Sequence, residues 1–437
     1  MEYPKAGGDF AKRVVCSCAA ALLLLVTLLA APSPGADITL SSRTYFLYYK
    51  RDIPGEASQR FAPLYEYLSA DANGLGGTTV SFHFYGWGRQ DMGEKTGSGK
   101  TSGDLGSAYL QYLHPTGNAE MRLGRFFLAE GVAREIVDGV FLKGRTGSGF
   151  GASAFGGVPV EATITATATG DSIYGGRLFF ARPGFAELGV SYLQEKGEFQ
   201  GNDRKEVGGD LWVRPFGTVE LIGNATYNDA TRALAFQGYM IRLSPFTRVD
   251  FSFGYEEYSY KDYFQTSLSP VFLAPAIDNT DKARIVIALL DLEVVKNVTL
   301  TLGAKTIRHD QKDPGDARRG ELGVKYVYND LKDAAGASFA WVTADLDENA
   351  YGEYRGYATW SPSRWRFALD ALTRQYKQAI DGMKNALQVV GSAGFHPFDI
   401  LRISGDLTYT KSPRFDKDYA GLVRVSLLFG PGAGGKK

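Results

Sequence analysis

From residue 37 onward, segment after segment of the chain alternates apolar and polar residues with a period of two. In TRVDFSFGYEEY, residues 247–258, Val249, Phe251, Phe253 and Tyr255 fall on one side and Arg248, Asp250, Ser252 and Glu256 on the other. In DILRISGDLTYT, residues 399–410, Leu401, Ile403, Leu407 and Tyr409 oppose Arg402, Ser404, Asp406 and Thr408. KNVTLTLGAKT, VELIGNATY, AELGVSYLQ, GELGVKYVY and GLVRVSLLF repeat the pattern. Successive side chains of a β-strand point to opposite faces, so each segment reads as a strand with one apolar and one polar face. In a soluble sandwich the apolar faces would meet in a core. These segments instead run about ten residues, the length that crosses a bilayer when tilted. Sandwich strands are typically about half as long.

The connections point the same way. Six short ones carry a proline: HPTG (114–117), RPGF (182–185), RPFG (214–217), SPFT (244–247), SPSR (361–364) and HPFD (396–399). Proline presets a turn and lacks the N–H that a ladder interior needs. The intervening connections are longer and charged, at 195–206, 308–319, 377–385 and 411–418. Short periplasmic turns alternating with long external loops mark a transmembrane barrel. The fold expected is all-β, an antiparallel up-and-down β-barrel of about 20 strands, within two either way. Aromatics gather near strand ends, with Tyr45, Phe46, Tyr48 and Tyr49 in the first strand and Trp360 and Trp365 around one turn. Girdles at the lipid–water boundaries would look like this, although Tyr and Phe also favour strands generally.

Before the first strand, Lys12 and Arg13 precede the apolar run CAAALLLLVTLLAA at 18–31 and the small, turn-forming PSPGA at 32–36. Residues 1–36 therefore read as a secretory signal peptide, the alternative being a retained anchor. Residues 37–430 read as the barrel and 431–437 as a short flexible tail. Both cysteines, Cys16 and Cys18, lie within the signal. The mature chain then has no disulfide, thiolate metal site, cysteine nucleophile or haem-attachment motif. The 48 basic and 48 acidic residues cancel, which argues against a nucleic-acid partner.

Enzyme chemistry finds little purchase. GEKTGSGKT, residues 93–101, ends like a nucleotide-binding loop, but the required first glycine would sit at Glu94. The strand-like SGDLGSAYLQYL follows it where a helix should open, so it reads as a solvated external loop. The four histidines, His83, His114, His309 and His396, form no metal-ligand spacing. There is no G-x-S-x-G elbow. Neither a cofactor nor catalysis is expected.

Two short motifs carry a resemblance. GLVRVSLLF at 421–429 resembles the last strand of Gram-negative outer-membrane barrels, which ends in an aromatic residue read by the barrel-assembly machinery; Phe429 would be that residue, here followed by GPGAGGKK. RLGRFFLAEG at 122–131 resembles the L-G-R strand end of porin-like barrels, with Phe126 where a polar residue is common. The resemblance implies a bacterial outer-membrane location, lipid contact and the assembly machinery as a partner. In porins the third external loop commonly folds inward. The longest connection, 128–171, is third in order, which would put Arg134, Glu135, Asp138, Lys143 and Arg145 at a constriction. Alternatively, VPVEATITATAT adds a strand pair and the count rises to about 22.

The polar faces carry Arg122, Glu220, Arg248, Asp250, Lys305, Glu321, Lys325, Arg366, Asp370, Arg374, Arg402, Asp406 and Arg424. A lipid-facing charge at mid-bilayer costs roughly 2–4 kcal/mol, so these residues are expected to line an aqueous lumen. Mixed signs suggest a transverse field or internal salt bridges, with weak ion selectivity. The function expected is passive diffusion of small hydrophilic solutes or ions, with a homotrimer as the candidate assembly. The alternative is a sheath around a partner multihaem cytochrome. A plugged, energised transporter fits poorly, because the alternation starts almost at Asp37 and leaves no room for a plug.

Overall fold

The computed structural model describes residues 36–51, 59–93, 101–162, 167–169, 172–196, 203–264, 281–311, 315–413 and 415–430. The expected signal peptide before Ala36, the interior of the GEKTGSGKT stretch and the tail after Gly430 lie outside the described residues. In chain order the strands are β1 (Asp37–Arg51), β2 (Gln59–Phe61), β3 (Pro63–Asn73), β4 (Val80–Asp91), β5 (Thr101–Leu113), β6 (Ala119–Glu130), β7 (Ala133–Arg145) and β8 (Phe150–Ala162). They continue as β9 (Thr167–Thr169), β10 (Ser172–Arg182), β11 (Ala186–Lys196), β12 (Arg204–Phe216), β13 (Val219–Asn228), β14 (Ala233–Phe246), β15 (Val249–Ser259) and β16 (Lys282–Val295). The last are β17 (Val298–His309), β18 (Ala317–Tyr328), β19 (Asp333–Ala344), β20 (Tyr351–Trp360), β21 (Trp365–Ile380), β22 (Met383–Phe398), β23 (Leu401–Ser412) and β24 (Phe415–Phe429).

Every pairing is antiparallel, and the sheet closes where β24 runs along β1 from Leu40↔Phe429 to Arg51↔Asp418. The wall is a closed barrel of 22 strands. The two supernumerary segments are short: β2 extends the β3 side of β1, and β9 folds back on β8. Closure satisfies the backbone polar groups that a bilayer cannot hydrate. No described helix is long and apolar enough to cross a membrane, which is no constraint on a barrel that crosses with strands.

The strand count exceeds twenty because part of the stretch 128–171 is wall. Strands β7 and β8 occupy 133–145 and 150–162, where one long loop was expected. The alternation is blurred there because β7 is apolar on both faces, with Val137 and Phe141 on one and Val140 and Leu142 on the other. Nearly half of strand β8 is Gly or Ala. Two external connections also shrink. Strands β21 and β22 continue to Ile380↔Met383, and β23 and β24 to Ser412↔Phe415, so 377–385 and 411–418 are mostly extended hairpin.

The proline turns all lie at the end of the barrel that holds both β1's start and β24's end. Three of them share a device. The ladder slips between Val213 and Phe216, between Leu243 and Phe246, and between Phe395 and Phe398, each time across a Pro-Phe pair. Proline cannot donate to the ladder, and the resulting bulge re-aims the next side chain. Phe216, Phe246 and Phe398 thereby pair with Val219, Val249 and Leu401 and stand outward, 65–71% exposed. With Trp360 and Trp365 they form a ring of exposed aromatics at that end.

One seam in the wall is short. Strands β5 and β6 pair only from Ala108↔Arg125 to Leu113↔Glu120, leaving Thr101–Ser107 unpaired on that side. Gly124 turns the chain at the top of the seam with φ +123°, and a β-carbon there would strike the Ala108 carbonyl oxygen. Above it, the Arg125 guanidinium donates to Leu105 O at 3.1 Å and to both oxygens of Asp138 at 2.7 Å. Gly124→Ala combines a backbone conformation closed to L side chains with a backbone clash. It is expected to cost about 1–3 kcal/mol, read from the urea midpoint of the folded barrel. An unchanged midpoint would show that the seam does not need this glycine.

Candidate functional site: the inner wall and its docked hairpin

The concave face is identified by contacts that skip strands. Arg204 on β12 pairs with Glu135 on β7, although β8, β10 and β11 lie between. Such a chord can run only through the interior. Following the register around the ring from these residues gives one consistent inner face, which returns to itself at Tyr45↔Arg424. The outer face carries Leu178 and Val190, which face each other in register and are 70% and 62% exposed. It also carries Leu302, Leu322, Leu369, Leu407 and Val423, all exposed, as a lipid-facing surface requires.

The β6–β7 tip leaves the wall and lies on the inner face. Val132 N–H donates to Ser191 Oγ on β11 at 3.1 Å. Gly131 has φ +59°, and a β-carbon there would collide with Ser191. Gly208 on β12 leaves the space that Val132 fills. Beneath the tip, Phe126, Leu128, Val137, Phe141, Ile173 and Leu193 form a buried apolar cluster. Charges tie the tip down. Lys143 Nζ lies 2.9 Å from Glu130, and Arg177 reaches Glu130, Glu187 and Asp210. Arg204 binds Glu135, Glu195 and Glu206, of which Glu195 and Glu206 are almost fully buried. The tip therefore narrows the lumen from one side, by docking a hairpin rather than by inserting a free loop.

The residues anticipated at a constriction divide between the faces of β7. Glu135 and Lys143 face inward and hold the tip, whereas Asp138 is on the opposite face with Arg125. Arg134 is exposed next to the tip, and Arg145 ends the strand beside the β5–β6 turn, its N–H bonded to Asn118 O.

The residues anticipated along the lumen fall on the inner face by register: Arg122, Glu220, Asp250, Lys305, Glu321, Lys325, Arg366, Asp370, Arg374, Arg402, Asp406 and Arg424. Arg248 is in the turn before β15. Several are paired. Arg122 lies 2.6 Å from Glu120, and Arg374 lies 2.7 Å from Glu353, which also binds Arg319. Arg355 pairs with Asp370 at 2.6 Å, and Arg424 pairs with Asp406. Lys305, Lys325, Arg366, Arg402 and Arg43 have no ion-pair partner among the described residues.

Charge is segregated across the lumen. From β17 round to β1 the inner face presents Arg43, Lys305, Arg319, Lys325, Arg355, Arg366, Arg374, Arg402 and Arg424 against Glu321, Glu353, Asp370, Asp406 and Asp418. From β10 to β16 the balance inverts, with Glu187, Glu195, Glu206, Asp210, Glu220, Asp250, Glu256 and Asp291 against Arg177, Arg204, Arg214 and Arg242. At the external end, Asp281 accepts from the backbone N–H of Asp310 and Gln311 and lies 2.7 Å from His309 Nδ1. Burial, with Tyr258 and Asp281 nearby, holds the Tyr260 hydroxyl above the ordinary phenol range in the adjoining helical turn. No group of three potential metal ligands occurs among the described residues.

No protein-family model and no curated protein matches the chain. Solved structures do. The siderophore receptor PirA from Pseudomonas aeruginosa aligns over 89% of this chain and 80% of its own, with 11% identity and a TM-score of 0.57. The fold is that of a Gram-negative outer-membrane β-barrel. OccAB1 of Acinetobacter baumannii and OpdL of Pseudomonas aeruginosa align over 91% of this chain and 97% and 99% of theirs. Their identities are 9% and 7% and their TM-scores 0.43 and 0.45.

Sequence reasoning missed the docking partners Ser191 and Gly208 and the anchor Arg204. Arg204 sits in a charged stretch that reads as solvated loop, and nothing in the local pattern shows that β7 lies opposite it. A usable signal was the two-sided apolar character of β7, since a barrel strand buries its inner face only where something covers it.

Proposed function

We propose that this protein is an outer-membrane porin, an aqueous channel through which small hydrophilic solutes or ions diffuse passively. The observation that carries this reading is the inner face: charged along its length, segregated by sign, and enclosed by a wall whose outer face is apolar. A barrel of 22 strands is far wider than the eight-stranded barrels that side chains already fill. The inward-facing residues Arg122, Asp250, Lys305, Glu321, Lys325, Arg366, Asp370, Arg374, Arg402 and Asp406 line the path, with Arg248 at its periplasmic mouth. The β6–β7 tip, held by Glu135 and Lys143, narrows it near mid-height. Lipids cover the outer face, and Phe429, paired with Leu40 at the closing seam, is the residue the assembly machinery reads.

Single-channel recording in a planar bilayer tests the reading. Steady conductance steps on the nanosiemens scale are expected, with weak ion selectivity because the two walls nearly balance. Replacing Arg366 and Arg402 with Gln removes two unpaired cations from the positive wall and is expected to shift the reversal potential toward cation preference. Folded protein that gives no conductance and co-purifies with a haem protein would replace this reading with the sheath.

A further inference from the structure

The inner wall of β1, β3 and β4 differs from the rest of the lumen. Four tyrosines meet there. Tyr45 meets Tyr67 edge-on at 5.3 Å between ring centroids, and Tyr67 is flanked by Tyr65 and Tyr85, each at 6.3 Å and near-parallel, with interplanar angles of 16° and 18°. They line a recess of about 420 Å³ together with Ser41, Ser69 and Arg43. None of the four phenol hydroxyls bonds to protein among the described residues, and Arg43 is exposed and has no carboxylate partner. The other polar groups of the recess satisfy each other, Ser41 and Ser69 bonding at 2.6 Å.

This is an unusual set to leave open in a lumen whose other arginines are mostly paired. Tyrosine combines an apolar face with a polar tip. Three offset, near-parallel rings offer a ladder of flat apolar surface, and their hydroxyls add hydrogen-bonding groups at its rim. A hydrocarbon ring would use the faces and leave the hydroxyls idle, whereas a polyhydroxylated ring uses both. The guanidinium at one edge adds a fork that matches a carboxylate. We propose that this recess is a solute-binding subsite for an acidic sugar, a pyranose ring bearing a carboxylate. The ring lies against Tyr67 and Tyr85, and the carboxylate sits on Arg43. The proposal rests on the lumen being open to solutes, and it names the class of solute that the channel holds in passing.

Two measurements separate the proposal from the channel reading it rests on. Calorimetric titration of the detergent-folded barrel measures binding whether or not the protein conducts, and bilayer recording measures conductance whether or not anything binds. Glucuronate is expected to bind and to block the open-channel current in a concentration-dependent way. Glucose should bind at least about tenfold more weakly, as should glucuronate to Arg43→Met, because a charge-assisted pair is lost. Tyr67→Phe keeps the ring and should weaken glucuronate modestly, while Tyr67→Ala should weaken glucuronate and glucose alike. Conductance without glucuronate binding would overturn the subsite and leave the channel standing. Binding unchanged in Arg43→Met and Tyr67→Ala would overturn it as well, and so would benzoate binding more tightly than glucuronate. Absence of conductance with binding intact would overturn the channel reading alone.

Discussion

Arg204→Met is expected to cost the barrel about 3–5 kcal/mol of folding stability and to raise its single-channel conductance. The methionine matches the arginine stem in length but leaves Glu135, Glu195 and Glu206 facing one another without a cation. Removing one partner of a buried ionic cluster is costly because the remaining charges stay desolvated. Glu195 is the most dependent: only 2% of its side chain is exposed, Arg204 reaches its Oε2 at 3.4 Å, and its buried Oε1 has no hydrogen-bond partner among the described residues. The cheapest relief is for β7 to move away from β11 and β12, which lifts the Gly131–Val132 tip off Ser191 and widens the lumen. A second change, Glu195→Gln, should recover part of the lost stability. The urea midpoint and the bilayer recording check the two halves separately. A variant as stable as the parent, with the same conductance, would mean that the Arg204 cluster does not hold the tip.

The second large effect lies on the opposite face. Leu178 and Val190 are register partners near mid-height on the outer wall. Leu178→Arg would place a guanidinium against acyl chains, at an expected cost of about 2–4 kcal/mol. Gln388→Arg introduces the same guanidinium on the inner face of β22, at an exposed position whose side chain reaches Thr410. That variant should stay within about 0.5 kcal/mol of the parent. Refolding both variants into liposomes and comparing urea midpoints decides the matter. Equal losses would show that the two faces have been assigned wrongly.

The fold was legible in the sequence wherever one face of a strand meets lipid and the other meets water. Strands β15, β17 and β23 alternate cleanly for that reason, and their places were predicted within a few residues. Legibility failed at β7 and β8, where the inner face is covered and turns apolar or small. It failed again at the β21–β22 hairpin, where polar residues mark water contact but the ladder simply continues past the bilayer. For the candidate site, face and sign of charge were legible residue by residue. Which charges pair was not, because pairs such as Arg319–Glu353 and Arg204–Glu135 join residues 34 and 69 positions apart. The tyrosine recess was invisible for the same reason: Tyr45, Tyr67 and Tyr85 each look like an ordinary strand aromatic until register sets them side by side.

A closed barrel is the architecture that abolishes sheet edges, yet the short β5–β6 seam restores one. Over Thr101–Ser107, half the backbone groups of β5 turn toward a neighbour that has bent away to dock on the inner face of β11 and β12. The hairpin that narrows the channel is thus drawn from the wall itself. Constriction and wall integrity share one piece of chain, so neither can be altered alone. Adding pairs to the seam would draw the hairpin back toward the wall and widen the passage. Tightening the dock would lengthen the exposed edge. Arg125, bridging Leu105 and Asp138 at the point of departure, is the clasp that fixes where along β6 this exchange is struck.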